Sequence, residues 1–223
     1  MQRVVSWSLA VVLAGASAAA AGLELKSDEQ KTLYAIGLAV SRNLAPFNLS
    51  EAELELVKAG LVDGVLHKEQ KIDMQTYGPK IQELQTARAS VIAAAEKKAG
   101  QPFLDKAAAD KGATKTASGL VISTIKPGNG DSPKATDKVK VHYTGTLIDG
   151  TVFDSSVERK VPATFPLNGV IPCWTEGLQL MKVGGKSKLV CPSAIAYGDR
   201  GSPPRIKPGA TLVFEVELLE ILK

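Results

Sequence analysis

The sequence predicts an α+β chain with a helical first half and, in the second half, a twisted antiparallel sheet wrapped on one short helix. From the end of the leader to about residue 111, apolar residues recur every three or four positions, and residues 73–111 are rich in Ala, Lys, Glu and Gln. Beyond that point, strand-like runs alternate with turns of Gly, Pro, Asn and Asp. With 223 residues and 44% hydrophobic content, the chain is long enough for two domains.

The first element is a leader at residues 1–21 with the three-part plan of a secretory signal peptide. Arg3 is followed by an uncharged apolar stretch at 4–14 and then by small residues suited to cleavage. An uncleaved membrane anchor is the alternative, because residues 4–23 lack charge and approach the ~20 residues that a span needs. The alanine-rich composition favours cleavage, and we expect an exported protein.

Two short amphipathic helices follow within residues 22–72. Ser27 and Gln30 form a capping box for the first helix, Pro46 ends it, and Ser50 begins the second. Their apolar positions are Leu33, Ile36, Val40, Leu44, Leu54, Val57, Leu61 and Val65. So small a hairpin cannot bury both narrow stripes, so we expect these helices to pack on a second chain or on the downstream helix.

Residues 73–112 are predicted to form one long connecting helix with much of its surface in water. Gly78-Pro79 and Gly100-Gln101-Pro102 interrupt its pattern, since proline lacks an amide hydrogen and clashes with the preceding turn. These positions are predicted kinks or boundaries.

Residues 113–223 contain five predicted strands and one helix. The strands are expected at 120–125, 138–147, 163–167, 186–191 and 212–222, and the helix at 174–181. On the second strand, alternation places His142 and Tyr143 on opposite faces.

Charge and motifs exclude several function classes. The net charge is +4, or +3 without Arg3, and no basic cluster occurs, which argues against nucleic-acid binding. The two histidines, His67 and His142, are far apart, and no zinc spacing, phosphate loop or Ser-His-Asp set is present. We expect neither a metal nor a cofactor.

Four blocks in the second half resemble the FKBP family of peptidyl-prolyl cis/trans isomerases. They are the hairpin VHYTGTL–GTVFDSS at 141–156, GVIPCW at 169–174, AYG at 196–198 and ATLVFEVEL at 210–218. The resemblance covers about residues 115–223. The leader and the helical first half narrow this resemblance to secreted bacterial FKBPs of the Mip and FkpA type.

The resemblance implies a proline-binding pocket. It assigns catalytic roles to Tyr143, Phe153, Asp154, Tyr197 and Phe214, and substrate binding to Phe165, Val170, Ile171, Trp174 and Ile206. Trp174 would form the floor, and Asp154, oriented by Tyr143, would favour the twisted amide. The Tyr197 hydroxyl and the Ile171 amide would bind substrate carbonyls. Taken singly, each residue could instead be an ordinary core aromatic or turn residue.

It also implies a homodimer through residues 22–72, with residues 73–112 as a stalk to the isomerase domain at 113–223. The expected partners are unfolded or proline-containing polypeptides, and macrocyclic FKBP inhibitors are further candidates. The expected location is the periplasm or the outer membrane. The alternative function is a non-catalytic chaperone that holds peptides in the same pocket and helical cradle.

The chemistry suits an apolar pocket without a nucleophile. Rotation about an Xaa-Pro bond meets a barrier of about 18–20 kcal/mol, and no bond is made or cut. A catalyst must therefore grip proline and favour the twisted amide over the planar one.

Cys173 and Cys191 are the two cysteines of the chain. In an exported protein an even count points to a disulfide, and two buried thiols are the alternative. Ala163 stands where some FKBPs carry a pocket aromatic, so we expect the pocket to be more open there. Arg205 adds a charge near the rim, either as an ordinary surface residue or with a role in choosing peptides.

Overall fold

The computed structural model describes residues 23–222, so the predicted leader at 1–21 lies outside the described residues. The chain divides into two compact units, with the boundary between Ala39 and Val40. Within the described range, none of the helices combines the length and apolarity needed to cross a membrane.

Three α-helices occupy the described part of the first half. They are α1 (Asp28–Leu44), α2 (Glu51–Val65) and α3 (Met74–Ala109). Both predicted helix starts are confirmed. The Gln30 amide donates to Ser27 Oγ at 3.1 Å, and the Glu53 amide donates to Ser50 Oγ at 3.4 Å. In each case the second side chain accepts from the amide of the first, which completes the capping box.

Helix α3 runs uninterrupted through Pro79 and Pro102, so of the predicted kinks or boundaries the alternative of a boundary is wrong at both residues. Packing explains why the helix continues at the second proline. Gly100 and Leu104, on either side of it, are buried, Gly100 next to Thr211 and Leu104 against the sheet of the second half. This tertiary contact outweighs the lost amide hydrogen bond.

The second half forms one antiparallel sheet. Its strands are β1 (Ala113–Lys115), β2 (Val121–Lys126), β3 (Lys138–Leu147), β4 (Val152–Ser155), β5 (Ala163–Pro166), β6 (Lys186–Cys191) and β7 (Leu212–Leu222). Their order is β1-β2-β6-β7-β3-β4, and β5 also pairs with β3. The five predicted strands are present, and β1 and β4 are additional. All the pairings are antiparallel.

A short helix, α4 (Pro172–Gln179), completes the main core. It begins two residues before its predicted start, because proline is well suited to the first position of a helix. Its buried side chains, Trp174 and Leu178 among them, pack with those of β3, β6 and β7.

The C-terminal part of α3 packs with a second cluster, which includes Val121, Val190 and Val213 of the sheet. Small residues allow a close approach. A Cβ at Gly100 would lie 2.3 Å from Thr211 Oγ1, and one at Gly209 would lie 2.4 Å from the Ala93 carbonyl oxygen. Helix α3 is therefore fixed against the segment that leads into β7.

Candidate active site

A cavity of about 520 Å³ opens between the sheet and α4. The structure brings all ten predicted site residues to its wall: Tyr143, Phe153, Asp154, Phe165, Val170, Ile171, Trp174, Tyr197, Ile206 and Phe214. Gly169, Ser202, Pro203, Pro204 and Arg205 also line it. Residues from four strands, one helix and two connecting segments thus meet at one place.

Trp174 is the centre of an aromatic cluster in this cavity. Its ring lies edge-to-face with those of Tyr143, Phe165 and Phe214, at centroid distances of 5.1, 5.7 and 5.3 Å. Such perpendicular contacts match the electrostatics of aromatic rings. Among the described residues its buried indole N–H has no hydrogen-bond partner. The cluster provides rigid apolar walls and one available donor.

The side chains of β3 alternate between the two faces of the sheet, and this alternation decides which of them face the cavity. Val139, Val141 and Tyr143 are buried, whereas His142 lies on the opposite face with Nδ1 3.1 Å from Ser156 Oγ. The prediction that His142 points away from the pocket is confirmed.

Gly145 of β3 lies beneath two of the rings. A Cβ at this position would be 2.6 Å from the Phe153 ring and 3.0 Å from the Phe214 ring. Those two rings pack edge-to-face at 5.6 Å. The absence of a side chain at 145 therefore lets both rings lie directly on the sheet.

Asp154 is held by two donors. Its carboxylate accepts hydrogen bonds from the Tyr143 hydroxyl and from the Arg159 guanidinium. Arg159 also donates to the Tyr143 hydroxyl at 3.2 Å, and its guanidinium lies 5.9 Å from the centre of that ring. The three side chains form one closed network at the cavity wall.

The network sets the charge of its members. Burial raises the pKa of Asp154, but the hydrogen bonds from Arg159 and Tyr143 outweigh it and hold that pKa below its ordinary value. Burial, followed by the bond to Asp154, raises the pKa of Tyr143. At neutral pH the site therefore presents a carboxylate and a protonated phenol.

Sequence reasoning did not assign Arg159 to the site. The residue belongs to the turn after β4, where Lys160 adopts a left-handed backbone with φ of 57°. The available signal was an arginine five positions after the acid, but only the path of the turn brings it back to Asp154.

Arg205 lies at the cavity wall and not merely on the surface. Its Nη1 donates to the Phe153 carbonyl oxygen at 2.9 Å, which links the 201–206 turn to β4. Within this turn the Ser202 and Ile206 amides and carbonyls pair with each other at 2.8 and 3.0 Å. The peptide bond between Pro203 and Pro204 is cis. This closed turn carries Ile206 into the cavity.

Two polar groups complete the rim. Tyr197 is 40% exposed, and the Ile171 amide precedes α4 with no acceptor within the described part of the chain. Ala163 is not among the lining residues, whereas Phe165, two residues later on β5, is.

The predicted disulfide is present between Cys173 and Cys191, whose Cα atoms are 5.9 Å apart. Both residues are fully buried. Since Cys173 precedes Trp174 in α4 and Cys191 ends β6, the bridge ties the floor of the cavity to the sheet.

Two family models match the chain. The model described as FKBP-type peptidyl-prolyl cis-trans isomerase matches residues 130–219. The model described as the domain amino terminal to FKBP-type peptidyl-prolyl isomerase matches residues 29–122. Together they span both the helical half and the sheet.

Several relatives match over most of the chain. The chain is 48% identical to FkpA of Aeromonas hydrophila, with 90% of this chain and 79% of the relative covered. It is 44% identical to the FKBP-type 22 kDa isomerase of Escherichia coli, with 87% and 96% covered. It is 33% identical to the outer membrane protein MIP of Legionella longbeachae, with 100% and 98% covered. The crystal structure of FkpA from Escherichia coli aligns with a TM-score of 0.64 at 37% identity, covering 89% of this chain and 98% of that one.

Proposed function

The chain belongs to the FKBP-type peptidyl-prolyl cis-trans isomerase family and is an enzyme of that kind, and we propose that it turns Xaa-Pro bonds of exported polypeptides in the cavity around Trp174. The observation that carries this proposal is the convergence of ten predicted side chains on one aromatic-walled cavity. The proline ring rests on the Trp174 indole, between the rings of Phe153 and Phe214.

Catalysis requires the cavity to disfavour the planar form of the amide more than the twisted form. The planar amide is polar and well hydrated, whereas twisting removes its resonance and weakens the carbonyl as an acceptor. Transfer into an apolar cavity therefore costs the planar form more than the twisted one. Each 1.36 kcal/mol of this difference accelerates rotation about tenfold.

The polar groups orient the peptide around the bond that rotates. The Tyr197 hydroxyl and the Ile171 amide donate to substrate carbonyls. The Asp154 carboxylate faces the twisting amide, and its charge is kept at neutral pH by Arg159 and Tyr143. No covalent intermediate is required.

The test is the isomerisation rate of a short Xaa-Pro peptide with the mature protein and its Trp174→Ala and Asp154→Asn variants. Asp131→Asn is the matched control, because Asp131 is an exposed acid of the same half that does not line the cavity. We expect acceleration by the wild type and the control and a large loss in both cavity variants. Full activity in folded Trp174→Ala would place catalysis elsewhere.

A second candidate activity is the holding of unfolded chains by a dimer. It is favoured by α1 and α2, which bury none of their described side chains and leave Leu33 60% and Leu56 75% exposed. Such apolar surface suits a second copy of the chain, an unfolded client, or both. On this proposal residues 22–72 dimerise and residues 73–112 connect them to the isomerase domain at 113–223.

The test of the holding activity is the double variant Leu33→Asp/Ile36→Asp, with Asn43→Asp on the same helix as the control. We expect the double variant to sediment as a monomer and to suppress aggregation less, with unchanged isomerisation of a short peptide. A dimer of unchanged stability would reject the role of this face.

Export to the periplasm or the outer membrane is part of the proposal. It rests on the leader pattern at 1–21 and on similarity to a protein named for the outer membrane. Fractionation of cells producing the full chain should find the processed protein in the envelope. We also propose macrocyclic FKBP inhibitors as ligands of the cavity, which competition with the peptide substrate would test.

A further inference from the structure

A second cavity of about 360 Å³ lies behind one wall of the active-site cavity. Three elements form it: the 3-10 turn Ala45–Phe47 before α2, the middle of α3, and the segment 203–208. Pro203, Pro204 and Ile206 line both cavities. The two spaces therefore share part of one wall.

The lining of the second cavity is suited to an apolar side chain. Pro46, Pro203, Pro204 and Pro208 offer no backbone amide donor. Val91, Ile92, Ala95 and Ile206 add aliphatic surface. The charged residues of the described lining, Glu96 and Lys207, pair with each other at 3.0 Å. Neither charge is left to attract a ligand of opposite sign.

The walls are held in place before any ligand arrives. Arg88 Nη1 donates to the Phe47 carbonyl oxygen at 2.6 Å, and the same guanidinium pairs with Glu53. On the other side, Lys97 pairs with Asp199 at 2.5 Å, and the Ala93 backbone contacts Gly209. A preformed site lowers the entropy lost on binding.

We propose that this cavity is a second substrate subsite, which binds an apolar side chain of the same polypeptide whose proline occupies the active-site cavity. The proposal rests on the proposed function of that first cavity. The occupant follows from continuity, because a chain leaving the proline site across Pro203 and Pro204 reaches the second cavity directly. An extended chain advances about 3.3–3.6 Å per residue, so the bound side chain lies a few residues from the proline. The enzyme then selects clients that carry an aliphatic or aromatic residue at that distance.

The test compares two sets of long peptides with one proline. In one set, leucine is placed in turn at each of the four positions on either side of the Xaa-Pro pair, and in the other set serine takes its place. We expect wild-type kcat/KM to be about tenfold higher for leucine at one or two positions on one side, as burial of one such side chain implies. Equal values for leucine and serine at every position would overturn the proposal.

Ala95→Trp, which fills the cavity, is matched with Ala94→Trp, since both alanines are exposed on α3 and Ala94 does not line the cavity. The leucine preference should vanish in Ala95→Trp and persist in Ala94→Trp. Val91→Asp provides a second, non-filling variant at a position that is 71% exposed, and it should reduce the same preference. Retention of the preference in both cavity variants would overturn the proposal.

Two further readouts separate the alternatives. A short tetrapeptide, which cannot reach the second cavity, should be isomerised equally by all variants. If the wild-type protein failed to isomerise it, the proposed function itself would be rejected. Sedimentation should find the same oligomeric state for Ala95→Trp and Ala94→Trp. A change confined to Ala95→Trp would mean that a second copy of the chain fills the cavity and would overturn the substrate proposal.

Discussion

The isomerase half buries many of its apolar side chains, whereas helices α1 and α2 leave most of theirs exposed. In the isomerase half, Leu120, Val139 and Leu218 are completely buried in one core. In α1 and α2, none of the described side chains is buried. A region with its own core can hold a site rigidly, whereas a region without one has apolar surface available for partners. We therefore predict precise geometry in the isomerase half and adaptable contact with partners in α1 and α2.

Helix α3 contains both situations. Before Val91 its apolar residues Ile81 and Leu84 are exposed, whereas Ala93 is buried next to Gly209, and Leu104 and Ala107 are buried against the sheet. The last part of α3 therefore packs on the isomerase half, although composition places the change from helix to sheet near residue 111.

Reduction of the disulfide should produce the largest difference between the two halves. The bridge closes a loop of 18 residues, and its loss should cost the isomerase half about 3 kcal/mol of unfolding free energy. Urea unfolding followed by Trp174 fluorescence should show this decrease. The loss of helicity from α1 and α2 on unfolding should be the same with and without dithiothreitol. The variant Cys173→Ser/Cys191→Ser is the control and should not respond to reductant. An unchanged midpoint for reduced wild type would contradict the prediction.

Two glycines provide the next comparison. Gly145→Ala should destabilise the isomerase half by about 1–3 kcal/mol and reduce activity, since its Cβ would displace the Phe153 ring. Gly60→Ala in α2 meets no atom within 4 Å and should stabilise that helix by about 0.5–1 kcal/mol. Unfolding monitored at 222 nm and peptide isomerisation measure both effects. Destabilisation by Gly60→Ala would indicate close packing of α2 on a second chain.

Loss of Arg159 should shift the acid limit of catalysis. In wild type the pKa of Asp154 is lowered, so activity that needs the carboxylate persists below the ordinary carboxyl pKa and falls only at lower pH. In Arg159→Leu the burial of Asp154 is no longer offset by the guanidinium, so the loss should begin at higher pH. The measurement is kcat/KM between about pH 3 and 8. Arg200→Leu, an exposed arginine of the same half, is the control, and identical profiles for the two variants would reject the role of Arg159.

Arg88→Leu is the counterpart in the helical region and should have the smallest effect on catalysis. The Ser50 amide and then Arg88 lower the pKa of Glu53 to about 2, so the pair stabilises the fold fully above the ordinary pKa of 4.5 and loses its effect as pH falls toward 2. Hydrogen exchange in α2 should increase at neutral pH in Arg88→Leu and in acid in wild type. Isomerisation of a short peptide should not change. A loss of that activity would show that the two regions are coupled.

Local patterns in the sequence predicted much of the site. Alternation along β3 places Tyr143 inward, and the capping residues Ser27 and Ser50 mark helix starts that the structure confirms. The assignment of the ten cavity residues came from a resemblance spread over four blocks, because no single aromatic differs in sequence from a core residue. Their roles in catalysis remain predictions.

What sequence reasoning missed depends on the path of turns and on distant packing. Arg159 reaches the cavity through a turn whose course no short pattern encodes. Arg205 was predicted near the rim, but its hydrogen bond to the Phe153 carbonyl also depends on the path of a turn. The uninterrupted course of α3 through Pro102 depends on a sheet that begins after it in the chain. The second cavity joins Pro46, Val91 and Pro203, which lie in three well-separated parts of the sequence.

The absence of a side chain at Gly145 constrains how the sequence can evolve. Two rings rest where a side chain would stand, so a mutation at 145 and mutations at Phe153 and Phe214 cannot be selected independently. Lineages that keep both rings should keep glycine, and a lineage that gains a methyl there should already have lost a ring. The residues at these three positions should therefore covary among related sequences. Such covariation would show that the ring packing is kept for function and not only through shared descent.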